Sequence, residues 1–154
     1  MEKRFIVLDT ETTGLEVEKG HRIIEIGGVV MNGRKKTSET FHAYINPQRE
    51  IDKEAQAVHG ISNEDLEDKP FFSDIAEDFL EFIDGSTLVI HNADFDIGFL
   101  DAELKIASST YPAISDICEI KDTLAIARNK FPGQRNSLDA CLLYTSDAAD
   151  DAGS

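Results

Sequence analysis

The sequence predicts an α/β domain built around a mixed sheet. Three strand-like runs follow one another at the start of the chain, with a hairpin signal between the second and third. Helical and short apolar strand patterns then alternate. No internal repeat or linker interrupts that order, and at 154 residues with 41% hydrophobic content the chain is long enough to bury one core.

Residues 4–10, RFIVLDT, are apolar on both faces, as a central strand requires. Residues 22–32, RIIEIGGVVMN, and 39–45, ETFHAYI, read as the second and third strands, joined around Asn32-Gly33 and ended by Asn46-Pro47. DKEAQAVHG, residues 52–60, predicts a short helix stopped by Gly60, and Ser62 with Asp65 forms a capping box for another turn. Ile75, Phe79, Leu80 and Ile83 recur at helical spacing from Ser73 to Asp84, with Gly85 closing the helix. TLVIH, residues 87–91, is a short buried strand. It leads into a helix from about Phe95 to Ala107, with Phe95, Phe99, Leu100 and Leu104 on its apolar side. A strand near 114–121 precedes a helix from about Asp122 to Lys130, which Pro132-Gly133 ends; Asn136-Ser137 opens a last helix. The domain is expected to occupy 1–140. The Ala/Asp-rich segment 141–154 is nearly devoid of core formers and is expected to be disordered.

Thirty acidic against 15 basic residues give a net charge of −15, which argues against broad electrostatic adhesion to a polyanion. A metal-dependent enzyme can still act on nucleic acid when divalent ions neutralise an acidic site. No apolar run approaches the roughly 18 residues a membrane helix needs. Met-Glu-Lys-Arg enters the first strand without a leader pattern, so a cytoplasmic location is expected. Cys118 and Cys141 read as two free thiols.

The first candidate site lies in FIVLDTETTG, residues 5–14. Alternation along a strand points Asp9 and Glu11 the same way, roughly 6–7 Å apart at Cα. Carboxylates at strand ends often simply face water. Asp9, however, ends a strand covered on both faces, where an unpaired charge is costly and a divalent cation with oxygen ligands offsets the cost. In VIHNADFDIGFL, residues 89–100, a second apolar strand stops at Asp94 and Asp96, at the strand-to-helix switch where open α/β sheets place their sites. Asp96, between Phe95 and Ile97, is the better ligand candidate; Asp94 reads as a helix N-cap. A third carboxylate converging on Asp9 and Glu11 suggests a two-metal phosphoryl-transfer centre.

VLDTETTG, EAQAVHGI (54–61), VIHNADFDIGF and DTLAIARNKFPGQRNSLDA (122–140) resemble, in order, the DEDDh family of 3′→5′ exonucleases, in particular its branch of proofreading epsilon subunits of bacterial DNA polymerase III. The resemblance implies a ribonuclease H-like fold and two Mg²⁺ or Mn²⁺ ions. It implies that Asp9, Glu11 and Asp96 are the catalytic metal ligands, that Glu54 and His59 lie beside the terminal nucleotide, and that Thr13 and Asn92 line its pocket. It also implies a single-stranded or frayed 3′ DNA end as substrate, with the polymerase catalytic subunit and the sliding clamp as partners. Plainer roles compete: Glu54 suits the first turn of any helix, His59 suits a helix C-terminus, and Asn92 could satisfy turn backbone. His21 and His42 read as surface or strand residues, and Glu25 interrupts an apolar strand without an account.

The family pattern requires one further motif, a His general base followed five residues later by a fourth Asp on a closing helix. After Ala140 the sequence reads CLLYTSDAADDAGS, and no histidine follows His91. The closing helix and the segments that bind polymerase and clamp are therefore expected to be missing, hydrolysis impaired, and apolar surface uncovered beside the site. An exoribonuclease of the same fold, or a catalytically dead module that binds nucleic-acid ends, are the competing expectations.

Overall fold

The computed structural model describes residues 4–130. Five strands form one sheet: β1 (Arg4–Thr12), β2 (Ile23–Asn32), β3 (Lys35–Tyr44), β4 (Thr87–Ile90) and β5 (Glu119–Asp122), in the order β3-β2-β1-β4-β5. β2 runs antiparallel to both β1 and β3, whereas β4 is parallel to β1 and to β5. The meander followed by parallel crossovers is the mixed sheet the sequence predicts.

The central position of β1 explains its composition. Ile6 and Leu8 join the main core with Phe79 and Ile83 of α3 (Phe72–Ile83) and Phe99, Leu100 and Leu104 of α4 (Ala93–Ala107). Phe5 packs instead with Val89, Val7 and Met31 in a second cluster. Three shorter helices, α1 (Lys53–His59), α2 (Asn63–Leu66) and α5 (Ile114–Ile117), cover loops, and α6 (Thr123–Lys130) follows β5.

Local signals hold where the partners are close in sequence. Gly33 turns the hairpin at φ 62°, a conformation a glycine adopts without strain. The Ser62 box is reciprocal, with Asp65 N–H donating to Ser62 Oγ at 3.1 Å and Ser62 N–H to Asp65 Oδ2 at 3.1 Å.

Three expectations are corrected. β3 begins at Lys35 rather than residue 39, because Lys35 and Lys36 pair with Asn32 and Met31 on the sheet edge, where lysine is favoured. The segment 114–121 divides into the turn of α5 and a short β5. Asp101 Oδ1 accepts the Ile114 N–H at 2.9 Å, and Asp116 Oδ2 accepts the Ala113 N–H at 3.2 Å, so carboxylate caps override the apolar strand pattern. α4 starts at Ala93, two residues early, and Asp94 is not its N-cap. Asn92 holds that position at φ 64°, and the carboxylate that serves the helix entrance is Asp122, accepting from Asn92 N–H at 3.1 Å and Ala93 N–H at 3.0 Å.

Cys118 is a buried free thiol that donates to the Ile83 carbonyl at 3.1 Å; burial pushes its pKa up to about 11, which keeps it unreactive. Among the described residues no helix is long and apolar enough to cross a membrane. The helix expected after Asn136, the closing-helix region, the boundary at Ala140, Cys141 and the tail lie outside the described residues.

Candidate active site

The candidate site forms where β1 and β4 reach their carboxyl ends. Asp9 and Glu11 share one face of β1, opposite Gly27 and Glu25 of β2, and the pairing slips directly after Glu11 so that Thr12 meets Ile23. Such a bulge ends regular pairing and re-aims the side chains beside it. Asp96 approaches from the first turn of α4, only 5% exposed.

The three carboxylates lie in one another's field. Burial raises the pKa of Asp9, and Glu25 adds to this, while the Thr10 backbone and His91 act against it. Burial likewise raises Glu11, followed by the charges of Asp9 and Glu25. Asp96 is pushed up to about 7, first by burial and then by Asp9, with Thr10 partly offsetting and Glu11 adding. Asp96 Oδ2 and Thr10 Oγ1 are buried without a hydrogen-bond partner among the described residues. An orphaned carboxylate oxygen beside two further carboxylates is a donor set suited to a hard divalent cation. Among the described residues, however, no group of three or more His, Cys, Asp or Glu is gathered closely enough to hold a metal ion as it stands. The trio shares an electrostatic field without forming a finished coordination shell.

The other expected residues arrive from three directions. His59 ends α1; its Nδ1 accepts the Ile61 N–H at 3.0 Å, which leaves the proton on Nε2 to donate to the Thr12 carbonyl at 3.2 Å. It thus joins α1 to the end of β1, while Gly60 at φ 74° closes the helix. Glu54 lines a cavity of about 380 Å³ with Gly14, Leu15, Ala55 and Val58. Leu15 and Val58 are strongly exposed, an apolar pair at the cavity wall. Thr13 is fully buried as a joint: its N–H donates to the Arg22 carbonyl at 2.8 Å, its Oγ1 accepts the Arg22 N–H at 3.0 Å, and its carbonyl accepts the Asp52 N–H at 2.8 Å. The Asn92 side chain is exposed and caps nothing.

Sequence reasoning passed over several neighbours. His91, at the end of β4, acts electrostatically on Asp9 and has Nδ1 3.1 Å from Thr123 Oγ1; a polar residue directly ending the apolar VIH run was the available signal. Glu25 is explained by His42, whose Nε2 lies 2.6 Å from Glu25 Oε2 across the β2–β3 pair. His42 is a strand residue as expected, but His21 is not at the surface. It is buried, accepts the Glu16 N–H on Nδ1 at 3.0 Å, and donates from Nε2 to Asp52 Oδ2 at 2.8 Å. No local pattern announces that contact.

A mixed sheet in the order β3-β2-β1-β4-β5, flanked by helices, places the chain in the ribonuclease H-like fold class. Within that class the chain belongs to the exonuclease family, whose model (RNase_T, described as Exonuclease) matches residues 6–150. It is 50% identical over 149 residues to DNA polymerase III subunit epsilon of Salmonella typhimurium, covering 94% of this chain and 61% of that protein. The epsilon subunit of Rickettsia prowazekii is 54% identical over 137 residues, covering 89% of this chain and 60% of its own length. The chain therefore spans about three-fifths of the length of these curated relatives. Among solved structures it is similar to exonuclease X in complex with 5′ overhanging duplex DNA, at TM-score 0.66 and 29% identity over 93% of this chain and 73% of that one. The likeness to exonuclease I, TM-score 0.74 at 15% identity over 84% of this chain and 30% of that one, shows the fold alone.

Proposed function

We propose that the protein is a 3′→5′ DNA exonuclease of the replicative proofreading kind, hydrolysing the 3′-terminal phosphodiester and releasing deoxynucleoside monophosphates. The observation that carries this is Asp96, a buried carboxylate with an unpartnered oxygen in the field of Asp9 and Glu11. Asp9, Glu11 and Asp96 would hold Mg²⁺ or Mn²⁺. When bound, such ions activate the attacking water and neutralise charge on the leaving oxygen. The chain's own residues orient the substrate. Glu54 and His59 flank the terminal nucleotide, the apolar wall of Leu15 and Val58 receives its base, and Thr13 and Asn92 shape the loops on either side.

The substrate is a single-stranded or frayed 3′ end, consistent with few contacts by an acidic protein. The names of the relatives support a replication role and association with other subunits of a DNA polymerase; a place in the cytoplasm and a sliding clamp as a further partner belong to the same proposal.

The test is release of 3′-terminal nucleotides from end-labelled single-stranded DNA in Mn²⁺, Mg²⁺ or chelator, with Asp9→Ala alongside. Metal-dependent release that disappears in Asp9→Ala supports the proposal. Release indifferent to chelator or to Asp9→Ala contradicts it. Faster release from RNA of the same sequence moves the substrate class to RNA, and end binding without release makes the chain a binding module.

A further inference from the structure

Asp96 must meet Asp9 and Glu11 with the accuracy that metal ligands demand, within about 0.2 Å, yet its Oδ2 has no hydrogen bond to hold it among the described residues. Besides the Thr10 side chain and backbone, which act on the carboxylate from β1, its position is set by α4, the helix that carries it. The apolar side of that helix, Phe99, Leu100 and Leu104, packs on the sheet through contacts without strong directionality. Glu103 supplies direction. It lies at i+7 from Asp96, two turns along the same helix face, and is 2% exposed. Arg22 Nε donates to Glu103 Oε1 at 2.7 Å and Nη2 reaches the same oxygen at 2.6 Å, while Oε2 accepts the Ile23 N–H at 3.1 Å.

The other end of this clamp is fixed to the site. Arg22 exchanges two hydrogen bonds with Thr13, through Thr13 N–H to the Arg22 carbonyl at 2.8 Å and Arg22 N–H to Thr13 Oγ1 at 3.0 Å. Ile23 is the residue opposite Thr12 where the β1–β2 register slips, directly after Glu11. Both carboxylate oxygens of Glu103 thus bind the residues that set the end of β1. A charged clamp with hydrogen bonds on both oxygens constrains distance and angle far more narrowly than hydrocarbon packing does.

We propose that Arg22 and Glu103 are positioning residues that fix the axial register of α4 against the bulged end of β1, and so bring the Asp96 carboxylate to Asp9 and Glu11. Resting on the metal role proposed above, the pair touches neither metal nor nucleotide and acts through Asp96 and Thr13. A merely structural pair would contribute to folding stability and leave the metal affinity of the folded protein alone.

The two roles separate in Arg22→Met/Glu103→Gln, because both charges are removed together, so neither is left buried and unpaired, while the Gln oxygen can still accept the buried Ile23 N–H. Mn²⁺ affinity by isothermal titration calorimetry and melting temperature are measured for this variant, wild type and Asp9→Ala. Arg22→Lys, which keeps the charge and loses the planar fork, is measured with them and remains a readout if the double variant does not fold. The expected result is a double variant that melts near wild type but binds Mn²⁺ at least tenfold more weakly, with a smaller loss of affinity in Arg22→Lys at little cost in melting temperature. Mn²⁺ affinity within twofold of wild type in either folded variant overturns the inference and leaves the metal role of Asp9, Glu11 and Asp96 standing. A wild-type chain whose Mn²⁺ binding is absent, or unchanged by Asp9→Ala, brings down that metal role and this inference with it.

Discussion

The carboxylate of Asp122 accepts the backbone N–H of Asn92 at 3.1 Å, and through that contact a residue at the end of β5 closes the entrance of the helix that carries Asp96. The same group accepts from Ala93 at 3.0 Å, and its Oδ1 accepts from Leu124 at 2.9 Å. Asp122 therefore serves the first turns of both α4 and α6, where orphan N–H groups and the positive end of the dipole favour a negative charge. Asp122→Ala should destabilise the fold by about 1–2 kcal/mol, the upper range for one cap, because two helix starts lose their acceptor. Urea unfolding checks this; Asp122→Asn, which keeps an acceptor and loses the charge, should fall between.

The acidic cluster makes the metal-free protein pH-sensitive in an identifiable direction. Asp96 is raised from 3.8 to about 7 in the folded state, so between these values the unfolded chain has given up a proton that the folded chain retains. Stability contributed at this site is present in acid, is lost as pH rises through that window, and levels off above it. Asp9 and Glu11 are raised too and act in the same sense. Without metal, Asp96→Asn should gain on wild type as pH rises from 4.5 to 7.5, by roughly 2–4 kcal/mol in stability. Paired melts across that range test it; a difference that does not change with pH would contradict it.

Gly14 is required by a neighbour rather than by its own backbone angles. A Cβ there would overlap the ring of His21, which is held from both sides by Glu16 N–H and Asp52. Gly14→Ala should cost roughly 1–3 kcal/mol through this overpacking. His21→Ala removes the obstacle, so the double variant should be more stable than the sum of the two single costs predicts. Unfolding of all four members of the cycle measures that coupling.

The fold was legible where its signals are written in short stretches of sequence. Apolar runs that stop abruptly at Asp9 and before Asp96 mark strand ends, and Ser62 with Asp65 forms its cap within four residues. What the sequence concealed lies in pairs that meet only after folding. Arg22 and Glu103 are 81 positions apart, and Asn92 and Asp122 are 30 apart. Asp94 resembles an N-cap in sequence because it precedes the apolar stripe. The carboxylate at the helix entrance is instead supplied from a different strand, by Asp122 at Asn92 and Ala93, where the helix begins. His21 illustrates the same limit, since its burial depends on Asp52 and on the missing side chain at Gly14.

The central claim is that Asp9, Glu11 and Asp96 together hold a divalent cation, and the most direct measurement is Mn²⁺ titration of the folded protein followed by electron paramagnetic resonance. Wild type is compared with Asp9→Ala, Glu11→Gln and Asp96→Asn, each shown to be folded by circular dichroism. The account predicts that bound Mn²⁺ is detected in wild type and weakened at least tenfold in each variant. Wild-type affinity retained in folded Asp96→Asn would contradict it, because the buried carboxylate with the unpartnered oxygen would then take no part in the site.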